Sequence, residues 1–335
     1  MQTKKLTVLT EGGEVYGFGH ITRCLSICKY FKESGIIIEF IIDGDDSILP
    51  LVEKQSFVIM KWLNKKSLLK KLYESSFILI DSLRIKNRQI QDIQKLDVSI
   101  IYIDDDKRHN LLEKGFILDW TILSDKKNYF LPKKENVTYL LGSKYTPLRG
   151  PFNINRRANI LPDIESIFVS FGGSDIRNLT PLVLKTLNIN FPGMEKTVVI
   201  GNGFKNIEHI KSLQDEKTNL IYNADAKKMH SLMISSDIAI SSGGQTLYEL
   251  ACVGVPTISI LLIENAREDT EGWSEIGSMD YIGNFDDLDL MSKLLTSFKA
   301  LENQEKRQMM QSNGLKFIGF NGGRLIAEAV IKEAE

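Results

Sequence analysis

Residues 17–23, Gly-Phe-Gly-His-Ile-Thr-Arg, lie between an apolar run and a segment of helical periodicity. The run at 6–10, Leu-Thr-Val-Leu-Thr, has the composition of a buried β-strand, and apolar residues recur at helical spacing from Gly19 until Gly35. A strand, a glycine-containing turn and a helix form the first half of a βαβ unit. The stretch therefore predicts an α/β fold, and it places His20 at the N-terminus of the first helix.

The position of His20 gives its imidazole two possible roles. Free backbone N–H groups and the positive end of the helix dipole disfavour the imidazolium, so the ring is expected to stay neutral and able to accept a proton. A neutral imidazole near pH 7 is the state that a general base needs. His20 is therefore either a catalytic base or a residue that caps and packs the helix N-terminus, and the stretch alone leaves both roles open.

The glycines of this stretch also resemble part of a dinucleotide-binding fingerprint. Thr22 replaces the third glycine of Gly-x-Gly-x-x-Gly, and no acidic residue ends the next strand in a clean match. We therefore expect no nicotinamide cofactor, and no other cofactor is predicted.

The composition limits the class of protein. A length of 335 residues is enough for two domains, and 42 Lys and Arg against 43 Asp and Glu give no charge excess that favours nucleic acid. The cysteines, Cys24, Cys28 and Cys252, lack metal-ligand spacing and suit a reducing compartment. No export signal is visible, and no run approaches the roughly 18 apolar residues of a membrane span. We expect a soluble cytoplasmic protein without an integral membrane segment.

Further strands are predicted at 36–42, 77–81 and 99–104, and the last two end in Asp. An acidic residue at the carboxyl end of a buried parallel strand points into the crevice where ligands bind in open α/β sheets. The run at 104–108, which includes Asp105, is either a solvated turn or part of such a site. Because no second acidic or histidine cluster has matching spacing, no metal site is predicted.

The proline-containing, polar region 126–163 is interpreted as the end of the first domain and a linker. Within it, the stretch 145–152 is too apolar for a spacer, and we expect it to line a cleft between domains. The predicted domains are 1–150, 151–318 and a terminal helix at 319–335 that packs back on the first domain.

The second half repeats the strand–glycine–helix pattern twice. Strand 167–171 leads into Gly172, Gly173, Ser174 and Asp175, and a helix over 179–187 follows Asn178, a possible cap. Later strands are predicted at 197–200, 219–222, 237–241 and 256–262, followed by a loop at 264–267 and an amphipathic helical tail over 288–335 with a break at 319–323.

The second pattern, at 241–250, follows a strand with two glycines at a helix N-terminus, where backbone N–H groups can cradle an anion. Thr246 offers a hydroxyl to a phosphate, and Glu249 offers a carboxylate to ribose hydroxyls. The alternative is a tight packing turn, which paired glycines serve equally well. Two such loops in one domain favour a nucleoside diphosphate.

Five motifs in one order carry a resemblance. They are Gly-Phe-Gly-His-Ile-Thr-Arg-Cys-Leu from 17, Ile-Asp-Asp at 103–105, Tyr-x-x-Leu-Arg at 145–149, Val-Ser-Phe-Gly-Gly-Ser-Asp at 169–175, and the run at 241–256. Over about residues 8–283 the chain resembles the UDP-2,4-diacetamido-2,4,6-trideoxy-β-L-altropyranose hydrolase family of pseudaminic acid biosynthesis, also called SpsG-like. The last motif is shared more widely with GT-B glycosyltransferases.

The resemblance implies a GT-B fold, two Rossmann-like domains facing across a cleft, and hydrolysis of a UDP-sugar at the anomeric carbon. It implies that His20 is the general base on water and that Gly17 and Gly19 shape its loop. Further implied binding residues are Arg23, Asp105, Tyr145 and Arg149 in the first domain, and Gly172, Gly173, Ser174, Asp175, Ser242, Gly243, Gly244, Gln245, Thr246, Glu249 and Asn265 in the second.

Two departures and two alternatives qualify the expected function. The family usually has Asn-Gln where this chain has Asn265-Ala266, and Tyr16 stands where a smaller apolar residue is commoner. The first alternative is a GT-B glycosyltransferase, for which the lysine-rich run 61–71 around Trp62 is a possible membrane-docking face or else a solvated helix. The second is a binding protein without catalysis, which an intact His20 argues against.

Overall fold

The protein is described here from a computed structural model, which covers residues 4–64, 67–105, 112–126, 133–153, 156–157 and 159–333. Residues 106–108 of the acidic run and Lys65 and Lys66 of the lysine-rich run lie outside these ranges. The chain divides into two compact units. The N-terminal unit comprises residues up to Arg149 together with the segment from Asn321, and the C-terminal unit is Gly150–Phe320.

Within the described residues, the N-terminal unit contains a seven-stranded parallel sheet in the order β3-β2-β1-β4-β5-β6-β7. Its strands are β1 (Lys5–Gly12), β2 (Ile37–Gly44), β3 (Ser56–Ile59), β4 (Phe77–Asp81), β5 (Ser99–Ile103), β6 (Gly115–Asp119) and β7 (Val137–Leu141). Its first helices are α1 (Gly19–Glu33), α2 (Leu49–Val52), α3 (Leu68–Leu72) and α4 (Asn87–Gln94). All residues of β4 and β6 are buried, as expected for central strands covered on both faces.

The C-terminal unit contains a six-stranded parallel sheet in the order β10-β9-β8-β11-β12-β13, counted over the described residues. Its strands are β8 (Ser166–Ser170), β9 (Glu195–Ile200), β10 (Thr218–Tyr222), β11 (Ile238–Ser242), β12 (Thr257–Leu261) and β13 (Met279–Asn284). Its helices are α5 (Thr180–Asn190), α6 (Ile207–Ser212), α7 (Ala226–Ile234), α8 (Gln245–Val253), α9 (Arg267–Glu275), α10 (Leu290–Leu301) and α11 (Gln304–Phe317). The two sheets confirm the predicted α/β class with two Rossmann-like halves.

The last helix, α12 (Gly322–Glu333), belongs to the N-terminal unit and packs against α1. Two glycines allow the close approach. A Cβ atom on Gly322 would lie 2.1 Å from the backbone oxygen of Thr146, and one on Gly323 would lie 2.8 Å from the ring of Tyr30.

Several local predictions need correction. Strand β7 falls inside the region interpreted as domain end and linker, and its five residues are a full member of the sheet. In the stretch 145–152, Thr146, Leu148 and Phe152 are buried, and the role of this stretch in lining a cleft stays a prediction. The predicted loop at 264–267 is a short 3₁₀ turn that leads directly into α9.

In the described part of the lysine-rich run 61–71, the apolar residues Trp62 and Leu68 are buried and do not face solvent. Trp62 is 1% exposed and donates its indole N–H to the Thr10 backbone oxygen at 2.8 Å. Leu68 is also buried in the same core. The apolar residues alternate with lysines here because one side of the segment packs inward, which is the ordinary pattern of a surface segment.

Candidate active site

The first cluster of candidate residues lies at the carboxyl edge of the N-terminal sheet, where β1 leads into α1. Gly17 has φ +72°, and a Cβ atom added to Gly17 or Gly19 would have no atom within 4 Å, so both positions border open space. No side chain caps α1, which corrects the interpretation of His20 as a helix cap. Instead, Nδ1 of His20 lies 2.7 Å from Oδ1 of Asp81.

Asp81 is the last residue of β4 and is 1% exposed. Arg23, one helical turn after His20, donates Nε to Asp81 Oδ2 at 2.6 Å and Nη2 to Oδ1 at 2.5 Å. Burial would raise the pKa of Asp81, but the charges of Arg23 and His20 and their hydrogen bonds hold that pKa well below its usual range. The carboxylate is therefore ionised at neutral pH and accepts in its short contact with His20, so we assign the proton to Nδ1, which also lies 3.1 Å from Nη2 of Arg23.

This assignment fixes the tautomer of the neutral imidazole. With the proton on Nδ1, the other ring nitrogen, Nε2, carries the lone pair that accepts a proton. A buried carboxylate behind a histidine also stabilises the imidazolium that forms after proton transfer. The Asp81–His20 pair thus has the arrangement of a base held by a carboxylate.

Arg23 and Asp105, both predicted site residues, join the same cluster. Asp105 follows β5, and its Oδ2 accepts a hydrogen bond from Nη1 of Arg23 at 2.5 Å. The Arg23 guanidinium also lies 5.1 Å from the centre of the Trp120 ring. Because its donors bind Asp81 and Asp105, Arg23 orients these carboxylates rather than standing free for a ligand.

A second charged network at this edge was missed from the sequence. Glu11, 2% exposed at the end of β1, accepts the Leu83 backbone N–H at 2.8 Å and Nε of Arg84 at 2.7 Å. Arg84 also donates to Asp43 at 2.5 Å and to the hydroxyl of Tyr16 at 2.8 Å. Tyr16, the residue that departs from the family pattern, therefore anchors the loop before His20. Glu11 is an acidic residue at a strand end, which could have indicated this network. It was not recognised because the first strand was predicted to end at residue 10 and β1 continues to Gly12.

Tyr145 and Arg149 lie in the segment that follows β7. This segment contacts α12, since a Cβ atom on Gly322 would lie 2.1 Å from the backbone oxygen of Thr146. The role of Tyr145 and Arg149 in the site stays a prediction.

The second cluster lies in the C-terminal unit, where the strand order reverses between β8 and β11. Ligands in open α/β sheets bind at this point, outside the carboxyl ends of the two strands. The loop after β8 contains Gly172, with φ +75°, and Gly173, and a Cβ atom on either would meet nothing within 4 Å. Gly201, which was not predicted as a site residue, packs closely against this loop. A Cβ atom added at Gly201 would lie 2.3 Å from the backbone oxygen of Gly173.

Ser174 is exposed in this loop, whereas Asp175 is buried and its carboxylate is fully engaged in hydrogen bonds to the backbone. Its two carboxylate oxygens accept the backbone N–H groups of Leu179 at 2.9 Å and Thr180 at 2.8 Å. Asp175, and not the predicted Asn178, therefore caps α5. The cap holds the loop end and leaves the open glycines in front of it.

The two glycines of the loop after β11 serve different purposes. A Cβ atom on Gly243 would lie 2.6 Å from Cβ of Ala266 and 2.7 Å from the hydroxyl of Thr270, so this glycine permits close packing against α9. Gly244, with φ +105°, borders open space just before α8 begins. Ala266, where the family usually has glutamine, is the packing partner of Gly243.

The remaining predicted residues lie around the start of α8. Ser242 ends β11 and is buried, and Gln245 and Thr246 form the first turn. Nε2 of Gln245 is buried and has no partner among the described residues. Glu249 is 1% exposed in the next turn, and Asn265 is exposed in the turn after β12.

Within the described residues, no group of three or more His, Cys, Asp or Glu is placed to hold a metal ion. No helix in the described part of the chain is both long and apolar enough to cross a membrane.

No protein-family model matches the chain, but curated proteins do. It is 22% identical to the spore coat polysaccharide biosynthesis protein SpsG of Bacillus subtilis, over 96% of this chain and 93% of that protein. It is 23% identical to the pseudaminic acid cytidylyltransferase and UDP-2,4-diacetamido-2,4,6-trideoxy-β-L-altropyranose hydrolase of Helicobacter pylori, over 78% of this chain and 45% of that protein. An uncharacterized protein of Methanocaldococcus jannaschii is 26% identical over 79% of this chain and 57% of its own length. The chain thus spans about half the length of the last two relatives.

Solved structures show the same fold at low identity. MurG of Acinetobacter baumannii has a TM-score of 0.70 at 11% identity, with 98% of this chain and 99% of that chain covered. The UDP-GlcNAc 2-epimerase of Neisseria meningitidis, bound to UDP-GlcNAc, has a TM-score of 0.66 at 15% identity, with 98% and 100% covered. The chain therefore has a GT-B fold, as the resemblance implied.

Proposed function

We propose that this protein hydrolyses a UDP-activated deoxy amino sugar at the anomeric carbon and releases UDP, as in pseudaminic acid biosynthesis. The observation that carries the proposal is the hydrogen bond of 2.7 Å between His20 and a buried, ionised Asp81 beside two open glycines. The H. pylori relative, whose name includes a UDP-sugar hydrolase, supports the choice of reaction.

In the proposed reaction His20 is the general base. Its Nε2 takes a proton from water while the water oxygen forms a bond to the anomeric carbon. The bond between that carbon and the diphosphate oxygen breaks, and its electron pair leaves with UDP. Asp81 holds the imidazole in one tautomer and stabilises the imidazolium that results.

The C-terminal unit is proposed to hold the nucleotide. Backbone N–H groups at Gly172, Gly173 and Gly244 and the N-terminus of α8 are suited to a diphosphate, because the helix dipole favours negative charge there. Nε2 of Gln245 is buried without a partner among the described residues, and an acceptor oxygen of the nucleotide would satisfy it. Thr246, Glu249 and Asn265 are the proposed contacts to phosphate, ribose and sugar.

The second candidate function is transfer of a nucleotide-activated sugar to a polysaccharide or lipid acceptor. It is favoured by the likeness in fold to glycosyltransferases such as CalG4, the calicheamicin glycosyltransferase, with a TM-score of 0.63. In that reaction His20 would remove the proton of an acceptor hydroxyl in place of water.

One experiment separates the two functions. The purified protein is incubated with a panel of UDP-sugars in the absence of any acceptor, and free UDP and free sugar are measured. Equal release of both supports the hydrolase, whereas release only after an acceptor is added supports the transferase. Binding of UDP without any turnover in either condition would contradict both proposals and favour a binding protein.

A further inference from the structure

Arg177 is held in an unusual place at the carboxyl edge of the C-terminal sheet. It lies in the loop after β8, yet its Nε donates to the backbone oxygen of Leu262 at 3.2 Å and its guanidinium lies 4.2 Å from the centre of the Phe285 ring. Leu262 follows β12, and Phe285 follows β13. Since β11, β12 and β13 follow β8 in the strand order, Arg177 links the loop after β8 to segments that follow two strands on the β11 side of the sheet.

The two contacts leave the terminal nitrogens of Arg177 available. Nη1 and Nη2 have no hydrogen-bond partner among the described residues, and the residue as a whole is exposed. The flat contact with Phe285 and the Nε hydrogen bond restrict the guanidinium, so little conformational freedom is lost when it binds an anion. A fixed guanidinium with a free fork is the usual partner of a phosphate.

The other charged groups near this edge are already paired or differently placed. Arg267 binds Glu264 at 2.5 Å and Glu271 at 3.1 Å, and the carboxylate of Asp175 caps α5. Lys205 has no described partner, but it is exposed on the loop after β9, which is on the far side of β8 from β11. Within the described residues, Arg177 therefore combines a restricted guanidinium with unpaired terminal nitrogens in the same loop as Gly172 and Gly173.

We propose that Arg177 binds the diphosphate of a nucleotide held at the Gly172 and Gly244 loops. The inference rests on the proposed function, because it takes the nucleotide site as given and assigns one more residue to it. Arg177 supplies a full positive charge to a site whose other donors are neutral backbone and amide groups. Negative charge grows on the diphosphate as its bond to the sugar breaks, so the same contact stabilises the departing UDP.

The test measures binding of uridine and of UDP by calorimetry to the wild-type protein, Arg177→Gln and Arg267→Gln. Arg177→Gln should weaken UDP binding by about tenfold or more, because a charge-assisted hydrogen bond is lost, and leave uridine binding within about twofold. Arg267→Gln is the matched control: it removes an arginine from the same edge whose charge is already paired, and it should bind both ligands as wild type does. Added KCl should weaken UDP binding to wild type more than to Arg177→Gln.

The outcomes distinguish this inference from the proposed function. If wild type binds UDP but Arg177→Gln binds it equally well, Arg177 does not contact the diphosphate and the nucleotide site stands without it. If Arg177→Gln loses uridine and UDP to the same degree, the side chain only supports the loop, and the inference is also overturned. If wild type binds neither uridine nor UDP, the proposed function fails, and the inference fails with it. Recovery of most UDP affinity in Arg177→Lys would further support a charge contact.

Discussion

The carboxyl edges of the two sheets have the same topology around them but opposite chemistry. In the N-terminal unit the edge is dense with charge, and His20, Arg23 and Asp81 bind one another in fixed geometry. In the C-terminal unit the loops after β8 and β11 contain glycines that border open space, and the carboxylate of Asp175 is taken up by a helix cap. A network of paired charges holds one proton acceptor in one orientation, whereas an open glycine loop leaves backbone N–H groups free for an anion. The two units repeat one fold, and the residues at their strand ends suit the first unit to proton transfer and the second to anion binding.

The glycines sharpen this contrast. Gly19 and Gly173 both border open space, but their surroundings differ. The loop before Gly19 is fixed by side chains, through Tyr16 and Arg84, whereas the loop at Gly173 is fixed by backbone, through the approach of Gly201. Substitutions at these sites separate catalysis from binding.

The largest effect is expected for His20→Ala. If the N-terminal edge supplies the base, turnover of a UDP-sugar should fall by about 10²- to 10⁴-fold, the usual contribution of general-base catalysis. UDP affinity should stay within about twofold, since the proposed nucleotide contacts are in the other unit. Steady-state kinetics and calorimetry with UDP check both parts. Retained turnover would contradict the general-base role, and a matching loss of UDP binding would contradict the division between the two edges.

Asp81→Asn should have the next largest effect. The amide keeps the size of the side chain but no longer requires the proton to be on His20 Nδ1, and it does not stabilise the imidazolium. We expect turnover to fall by about 10²-fold or more with UDP binding unchanged, measured with the same assays. The buried Arg23 also loses one of its two carboxylate partners and keeps only Asp105, so stability should fall by about 3 kcal/mol. If turnover is normal while stability falls, Asp81 only pairs with Arg23 and does not act through His20.

The element pattern was largely readable from the sequence because buried parallel strands are continuous apolar runs. Strand β4 was predicted with its observed bounds, and α1 was predicted to begin at Gly19. Strand β7 was missed because its five residues are embedded in a polar, proline-containing region, where composition outweighed a short apolar run. Helix α9 was missed because it is mostly charged and buries little beyond Thr270, Gly272 and Trp273.

Single residues of the candidate site could be predicted from the sequence, but the contacts between them could not. His20 and the strand-ending Asp81 were each noticed, yet they are 61 residues apart and meet only because β4 is the neighbour of β1 in the sheet. The cap made by Asp175 and the support given by Gly201 depend on which atoms approach the loop. Local pattern identifies a residue type that suits a site, and strand order decides which of these residues meet.

A smaller effect is expected from a pair of glycine substitutions. Gly173→Ala places a methyl group in open space without backbone strain, so stability should hardly change, but UDP affinity should fall by about tenfold if the ligand approaches that backbone. Gly19→Ala, its matched control in the N-terminal unit, should leave UDP affinity unchanged and raise stability by about 0.5–1 kcal/mol through α1. Thermal unfolding and UDP titration measure both variants. The contrast between the edges fails if Gly19→Ala weakens UDP binding as much as Gly173→Ala does.

The smallest effect is expected from acid, which should lower stability through both units. Each has a buried aspartate whose pKa is lowered: Asp81 in the first, and Asp237 in the second, where hydrogen bonds from Glu165, Ser166 and Arg157 outweigh burial. Because the folded pKa lies below the unfolded pKa, each carboxylate stabilises the fold above about pH 4 and loses that contribution as pH falls through the folded pKa.

The acid contribution is measured by calorimetric unfolding of wild type, Asp81→Asn and Asp237→Asn between pH 7 and pH 3. The difference in stability between wild type and each variant should shrink as the pH falls below about 4, by at least about 1 kcal/mol for Asp81, because the unfolded wild-type chain then binds a proton at this carboxylate while the folded protein keeps it ionised. A difference that stays constant across this range would mean that the carboxylate is not preferentially ionised in the folded state. For Asp81 that result would remove the basis for placing the shared proton on His20 Nδ1, and with it the chemical contrast between the two edges.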